Sequence, residues 1–292
     1  MMPDVRSQHR AGVALVVAAA IAWSTAPFFT RLLHLDSWTI LFWRGLFGGS
    51  FITLFLVLAQ GWPGARSLIR LGRGGALVAC LSAVAMLAFI PALQLTSTAN
   101  VAIVIAAQPF TTAAIAWLWL REMPSRATML ASFVAFGGIA ITVSGAVTAA
   151  DYRAIGLAVV MMVAFAAMTV AMRRHKDTPM VAAAAVSNVL GAAVSIPFAQ
   201  SLFAVSTLDI GKLAMFGLFQ VALGLTFFSL GVRLLPSGRA SLIATLETPL
   251  MPFWVWLAFA ELPSLRALGG GALVMTAVIA DILGNDRTPA PG

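Results

Sequence analysis

Residues 108–125 read QPFTTAAIAWLWLREMPS, and residues 248–264 read TPLMPFWVWLAFAELPS. Pro109 matches Pro249, Trp117 matches Trp256, Glu122 matches Glu261 and Pro124 matches Pro263, once one residue is dropped between the proline and the acid. Both stretches are apolar and carry proline, which membrane helices tolerate better than soluble ones. Residues near Gly12 and Gly156 also open two similar runs, with Ala22-Trp23-Ser24-Thr25 facing Ala166-Ala167-Met168-Thr169. The likeness is weak at the start of each half and stronger toward its end. It divides the chain into residues 1–150 and 151–292, two repeats within one integral unit.

Outward from these stretches, the whole chain is a succession of apolar runs. A helix rising 1.5 Å per residue needs about 20 apolar residues to cross roughly 30 Å of hydrocarbon. Ten runs meet that length, near Ala11–Thr30, Trp38–Gln60, Gly74–Leu95, Ala99–Leu120, Ala127–Thr148, Ala154–Met172, Met180–Gln200, Leu213–Val232, Gly238–Phe259 and Leu265–Leu283. With 61% hydrophobic and 10% charged residues and a mean hydropathy of +0.97, the chain lacks the polar surface a soluble fold of this size requires. The fold expected is an all-α integral membrane protein with lipid around most of its surface. The first run is as long as a full span and is followed by nine more, so it reads as an uncleaved helix. Cys80, the single cysteine, lies mid-helix, excludes an intrachain disulfide and reads as a small core residue.

The formal charge of +8 does not mark a nucleic-acid binder, because the basic residues are spread over many short loops. They alternate instead. One side would hold Arg6, Arg10, Arg66, Arg70, Arg73, Arg121, Arg126, Arg173, Arg174, Lys176, Arg233, Arg239 and Arg287; the other holds only Arg31, Arg153, Lys212 and Arg266. The positive-inside rule then places both termini in the cytoplasm, and short tails and tight loops suit a cell inner membrane. Five helices per half is an odd number, so the second copy enters the bilayer upside down. Such inverted repeats build carriers that expose a central site alternately to either side.

These features together resemble one family. The two five-helix repeats, Ala22-Trp23-Ser24-Thr25 in the first helix, Trp43-Arg44 in the second, the Pro109…Glu122 segment and the Leu246-Glu247-Thr248-Pro249…Glu261 segment resemble EamA-type transporters of the drug/metabolite transporter superfamily. The resemblance implies a ten-helix carrier with cytoplasmic termini, often an exporter of amino acids, related metabolites or toxic small molecules. It names no solute.

Several residues are candidates for transport chemistry. Pro109 and Pro249 each remove a helical hydrogen bond at matched positions, which either points to a midplane site or shapes the helices for packing. Glu247, about nine residues into the ninth run, is the sharpest single candidate. A charged carboxyl at that depth costs on the order of 3 kcal/mol, so it is either a titrating site, with proton coupling as a subordinate expectation, or a neutral acid bonded to kinked backbone. Ser241, Thr245 and Thr248 share one helical stripe, with Glu247 about 100° away from Thr248. Arg44 either snorkels along its own stem or holds an acid or a solute carboxylate.

Asn100, Gln108 and Thr111 share a face of the fourth run, and Asn188 and Gln220 are isolated amides that bond helix to helix or meet a polar solute. Ser24 and Thr25 belong to the same candidate cavity as Trp23, Phe28, Phe89, Phe227 and Phe228, aromatic rings suited to flat or apolar groups. Glu122 and Glu261 end their helices as caps or gates. Pairs such as Gly137-Gly138 and Gly269-Gly270 allow close helix approach and imply no oligomer. No nucleotide-binding GxxxxGK[ST], HExxH or GxSxG run is present, so neither ATP nor hydrolytic catalysis is expected. Neither a cofactor nor a metal is called for, and a membrane-embedded enzyme or passive channel stands as the alternative to a carrier.

Overall fold

The computed structural model describes residues 5–96, 98–144, 152–260 and 262–285, and the described residues are helices joined by short turns. Ten helical spans follow in order. The first, α1, is two segments, Val5–Ser24 and Ala26–Leu32, parted at Thr25 ahead of Pro27. Next come α2 (Ser37–Gln60), a short helix Trp62–Ser67, and α3 (Gly72–Leu95). The fourth, α4, is again two segments, Thr98–Ala106 and Gln108–Leu120, and α5 is Arg126–Val143.

In the second half, α6 is Tyr152–Arg174 and α7 is Met180–Ser195 with a short Ile196–Phe198 turn. The eighth span, α8, runs from Thr207 to Leu234 and contains a π-helical stretch, Gly217–Leu223. The ninth, α9, is two segments, Ser237–Ala244 and Glu247–Phe259, and α10 is Leu265–Asn285. Nine of these spans among the described residues are long and apolar enough to cross a bilayer; the shorter one is α5, apolar over Arg126–Thr142.

Local chemistry sets the ends. Asp36 caps α2 by accepting from the Thr39 amide at 2.9 Å, and Ser125 caps α5 by accepting from that of Thr128 at 3.0 Å. Two described residues outside glycine have positive φ, Arg121 at 58° and Ala260 at 54°. They end α4 and α9, donating their amides to the carbonyls of the matched tryptophans, Trp117 at 3.1 Å and Trp256 at 2.9 Å. The sequence repeat is thus also a repeat of helix termination, each copy ending in a left-handed cap.

Apolar surface facing water does not drive helix association in lipid; close packing and buried hydrogen bonds do. The main contacts are α3 with α6, α1 with α8, α5 with α10, α2 with α7, α4 with α6, α4 with α9, α1 with α9, α2 with α8 and α3 with α7. Glycines set the closest crossings. A Cβ on Gly270 would lie 2.3 Å from the Gly138 carbonyl, and one on Gly48 would lie 2.4 Å from the Val221 side chain.

Cys80 departs from expectation. It is exposed on the outside of the bundle and not in the core, because its neighbours Val78 and Ala79 take the inward face of α3.

Candidate functional site

The three broken spans meet at a central cavity. Where α1, α4 and α9 lose helical continuity, side chains a straight helix would send in different directions can face one space. The cavity, of about 140 Å³, is lined from α1, α2, α3, α4, α6, α7, α8 and α9. That is room for roughly five water molecules at about 30 Å³ each, or a small organic solute in their place. Its wall is mostly apolar, with a few polar groups converging on it.

Arg44 enters from α2, about 10 Å along the helix from Ser37. Gly45 and Gly48 flank it and let α7 and α8 press against α2: a Cβ on Gly45 would lie 2.8 Å from the Asn188 carbonyl oxygen, and one on Gly217 would lie 3.1 Å from that of Arg44. The residue is only 4% exposed. It donates to Gln220 Oε1 at 3.1 Å and its Cζ lies 5.3 Å from the centre of the Phe216 ring. Snorkelling does not describe this residue, because its head is enclosed by α8.

Glu247 opens the second segment of α9 and lines the same cavity, as does Thr245. No hydrogen bond or ion pair to Glu247 is found among the described residues. The break at Thr245 and Leu246 explains how both residues reach the cavity: the angular spacing of a continuous helix does not extend across it. Ser241 turns to the first half, receiving bonds from Gln108 Nε2 at 3.3 Å and Thr112 Oγ1 at 3.1 Å, while Thr248 lies off the lining.

Of the aromatic candidates, Trp23 and Phe89 line the cavity. The Trp23 ring rests on Gly224, where a Cβ would approach its Nε1 to 2.4 Å, and it packs against Phe228 at 4.9 Å between centres. Phe228 is therefore behind the wall. Phe28 packs on Phe29 and Phe259 near the end of α1, and Phe227 packs at the edge of the core. Ser24 accepts from Trp254 Nε1 at 2.8 Å, tying the break in α1 to α9, and Thr25 bonds the Ala22 carbonyl. Gln108 and Asn188 line the cavity; Asn100 is buried beside α3, donating to Thr96 Oγ1 at 2.8 Å. Pro109 and Pro249 sit in the first turns of the segments that follow the breaks in α4 and α9, where a proline lacks nothing it would need to donate.

Several wall residues escaped the sequence reading. Phe165 and Met168 come from α6, within or beside the run matched to Ala22-Trp23-Ser24-Thr25, so the repeat held a signal for them. Met86, Met161 and Met251 had none, since methionine fills irregular space without a spacing rule. In the sequence Gln220 is an isolated amide, and its position depends on the π-helical stretch, a feature often found at functional sites.

Beyond Gln108 and Ser241 the bundle is closed by polar pairs at the end carrying the α4–α5 and α6–α7 turns. Glu122 lies 3.9 Å from Arg173, which donates to the Arg233 carbonyl at 2.7 Å. Nearby, burial and then the Arg173 guanidinium lower the pKa of Lys176. A second group joins four helices. Arg239 donates to Asp281 Oδ2 at 2.9 Å and to the Asp281 and Ile282 carbonyls at 3.1 Å, and also contacts His9; Thr128 donates to Asp281 Oδ1 at 2.7 Å. Glu261, the counterpart of Glu122, lies outside the described residues.

Comparisons with known proteins bear on the fold and on the family. The bundle is similar to a solved crystal structure of a protein with a TM-score of 0.83 and 16% sequence identity, aligned over 96% of this chain and 100% of that one. At that identity the likeness carries the fold alone. No curated protein matches the sequence. The model of the EamA-like transporter family matches twice, over residues 10–144 and again over residues 152–280. The chain belongs to the EamA-like transporter family.

Proposed function

We propose that this protein is a secondary carrier that exports a small organic metabolite, an amino acid or derivative or a drug-like compound, across the cell inner membrane. Transport proceeds by alternating access through the central cavity, between residues 1–150 and 151–292 arranged as inverted five-helix repeats with both termini cytoplasmic. The observation that carries this reading is the cavity itself: both halves contribute its polar groups, Arg44 and Gln108 from the first and Asn188, Gln220 and Glu247 from the second.

Packing supports a two-fold relation between the halves. If each helix is exchanged for the one five positions away, the α3–α6 contact becomes α8–α1, α4–α6 becomes α9–α1, and α3–α7 becomes α8–α2, while α2–α7, α4–α9 and α5–α10 map onto themselves. All of these contacts are present, as any two-fold relation between the halves requires; the odd number of helices per half is what makes the relation an inversion. The bias of basic residues supports the orientation. In that frame Glu122 and Arg173 close the cytoplasmic side as a gate, and the matched Glu261 serves the opposite side. Glu247 is the site for a coupled proton.

Saturable counterflow of a labelled solute in liposomes tests the carrier, since a channel gives none and an enzyme gives product. Reporter fusions that place the two termini on opposite sides would end the inverted-repeat reading. Proton coupling predicts that Glu247→Gln abolishes the dependence of flux on a pH gradient; an unchanged dependence removes it.

A further inference from the structure

Resting on that reading of the cavity, we propose that Arg44 and Gln220 form a binding subsite for a carboxylate on the solute, and that the solute is a zwitterion whose cationic group faces Glu247.

The two arginines buried among the described residues make the case. Arg239 is 3% exposed and is fully committed: its Nε and terminal nitrogens meet the Asp281 carboxylate, His9 and two carbonyl oxygens. That is how this protein uses an arginine to hold helices together. Arg44 is equally buried and is left incomplete. No carboxylate lies within 4 Å of it among the described residues, its hydrogen-bond partner is the neutral Gln220, and its Nε is buried with no partner at all.

A guanidinium offers a rigid fork that pairs with a carboxylate through two parallel bonds. Here one terminal nitrogen is already steered by Gln220, the Phe216 ring supports the plane, and the unused Nε belongs to a residue on the cavity wall. Leaving a buried donor unmet is costly, and leaving a buried charge without a counter-charge is costlier. A carboxylate arriving from the cavity relieves both.

The remaining polar groups argue for a second charge on the same molecule. Glu247 lines the same cavity with no protein partner among the described residues, and the Asn188 side-chain oxygen on that wall is also buried and unmatched, its nitrogen being spent on the Ala184 carbonyl. Both unmet groups are acceptors. A simple anion would satisfy Arg44 and leave the acceptors unmet; a simple cation would do the reverse. A molecule with an ammonium and a carboxylate satisfies both, and its apolar body has Trp23, Phe89 and Phe165 to rest on.

The test uses the full chain in nanodiscs and two sets of probes, each with one body and three charge states: phenylalanine, phenylalaninamide and 3-phenylpropionate, and leucine, leucinamide and 4-methylpentanoate. Binding is read by thermal shift and by titration. In at least one set the zwitterion binds tenfold or more tightly than its amide and than its acid. Arg44→Gln reduces the zwitterion to the level of the amide without weakening the amide, and Glu247→Gln reduces it to the level of the acid. If Arg44→Gln fails to fold, Gln220→Ala, which keeps the charge and removes its guide, weakens carboxylate probes three- to tenfold and spares the amides.

The proposal is overturned if no probe in either set shifts the melting temperature, if the three charge states bind alike, or if folded Arg44→Gln or Gln220→Ala retains the full preference for the carboxylate. Its failure is distinct from failure of the carrier reading. Arg44-dependent binding without counterflow leaves the subsite and removes the carrier; counterflow of solutes lacking a carboxylate, insensitive to Arg44, leaves the carrier and removes the subsite.

Discussion

The second segments of α4 and α9 are copies that end alike and begin differently. Each ends in a left-handed cap bonded to a matched tryptophan carbonyl. At their starts, Gln108 in α4 occupies the place of Thr248 in α9, and Ala107 the place of Glu247. The amide of Gln108 reaches across to Ser241 and knits the halves together, whereas Thr248 lies off the lining and its neighbour Glu247 faces the cavity. A similar contrast holds between α2 and α7, where Arg44 is the eighth residue of one and Asn188 the ninth of the other. The family model matches both halves, yet their charges differ: the cation on the cavity wall comes from the first half and the acid from the second.

That comparison is open to attack at each matched position. The largest effect is expected at Glu247: Glu247→Ala lowers flux in liposomes at least tenfold, about 1.4 kcal/mol in a rate barrier, while Ala107→Ser stays within twofold. A comparable loss at Ala107 would make the two sites functionally symmetric. Next, Gln108→Ala breaks a buried bond between the halves and lowers unfolding stability by about 1–2 kcal/mol, whereas Thr248→Ala stays within about 0.5 kcal/mol, both measured by denaturation in detergent. At the caps, Arg121→Gly and Ala260→Gly each remove left-handed strain and gain up to about 1 kcal/mol. Gains of similar size uphold the match between the two ends.

The smallest effect distinguishes the starts of α2 and α7. Asp36 caps α2 with its side chain, whereas α7 begins at Pro179 with no such cap. Partial burial raises the Asp36 pKa, but hydrogen bonds from the Thr39 hydroxyl and amide and from Ser201 outweigh it and hold the carboxyl below its ordinary range. The folded form therefore prefers the ionised acid. Its contribution is present above the unfolded-state pKa and fades as the pH falls through the lower, folded-state value. Asp36→Asn is expected to lower the melting temperature at pH 7, and its deficit relative to the parent should shrink as the pH is taken below the ordinary carboxylate range. A deficit that does not change with pH would mean the ionised form is not favoured.

Much of the scaffold was legible in the residues. Helix count and the two matched stretches depend on composition over long windows, which lipid constrains strongly. Individual details depend on local departures that a sequence does not announce. The eighth run was expected to begin near Leu213 but α8 begins at Thr207, because Ser206 caps it and Lys212 pairs with Asp209 at 2.7 Å, so a polar first turn still folds. A stripe through Ser241, Thr245 and Thr248 assumes a continuous helix; the break sends Ser241 toward Gln108 and Thr245 toward the cavity. The enclosure of Arg44 follows from glycines on α2 and α8 that let the helices close over it. Those contacts are long-range, and no spacing rule along one helix contains them.

The Arg239 group has one mechanical consequence. It fastens the beginnings of α1, α5 and α9 to the end of α10 through a buried pair whose separation would strand a charge, a penalty of about 3–5 kcal/mol when one partner is lost. Those four helices are therefore riveted into a single plate at that face of the bundle. The seam between α4 and α6, spanned by the half-exposed and more distant Glu122–Arg173 contact, is the weaker joint. If the molecule parts anywhere on that face, the fracture line runs there.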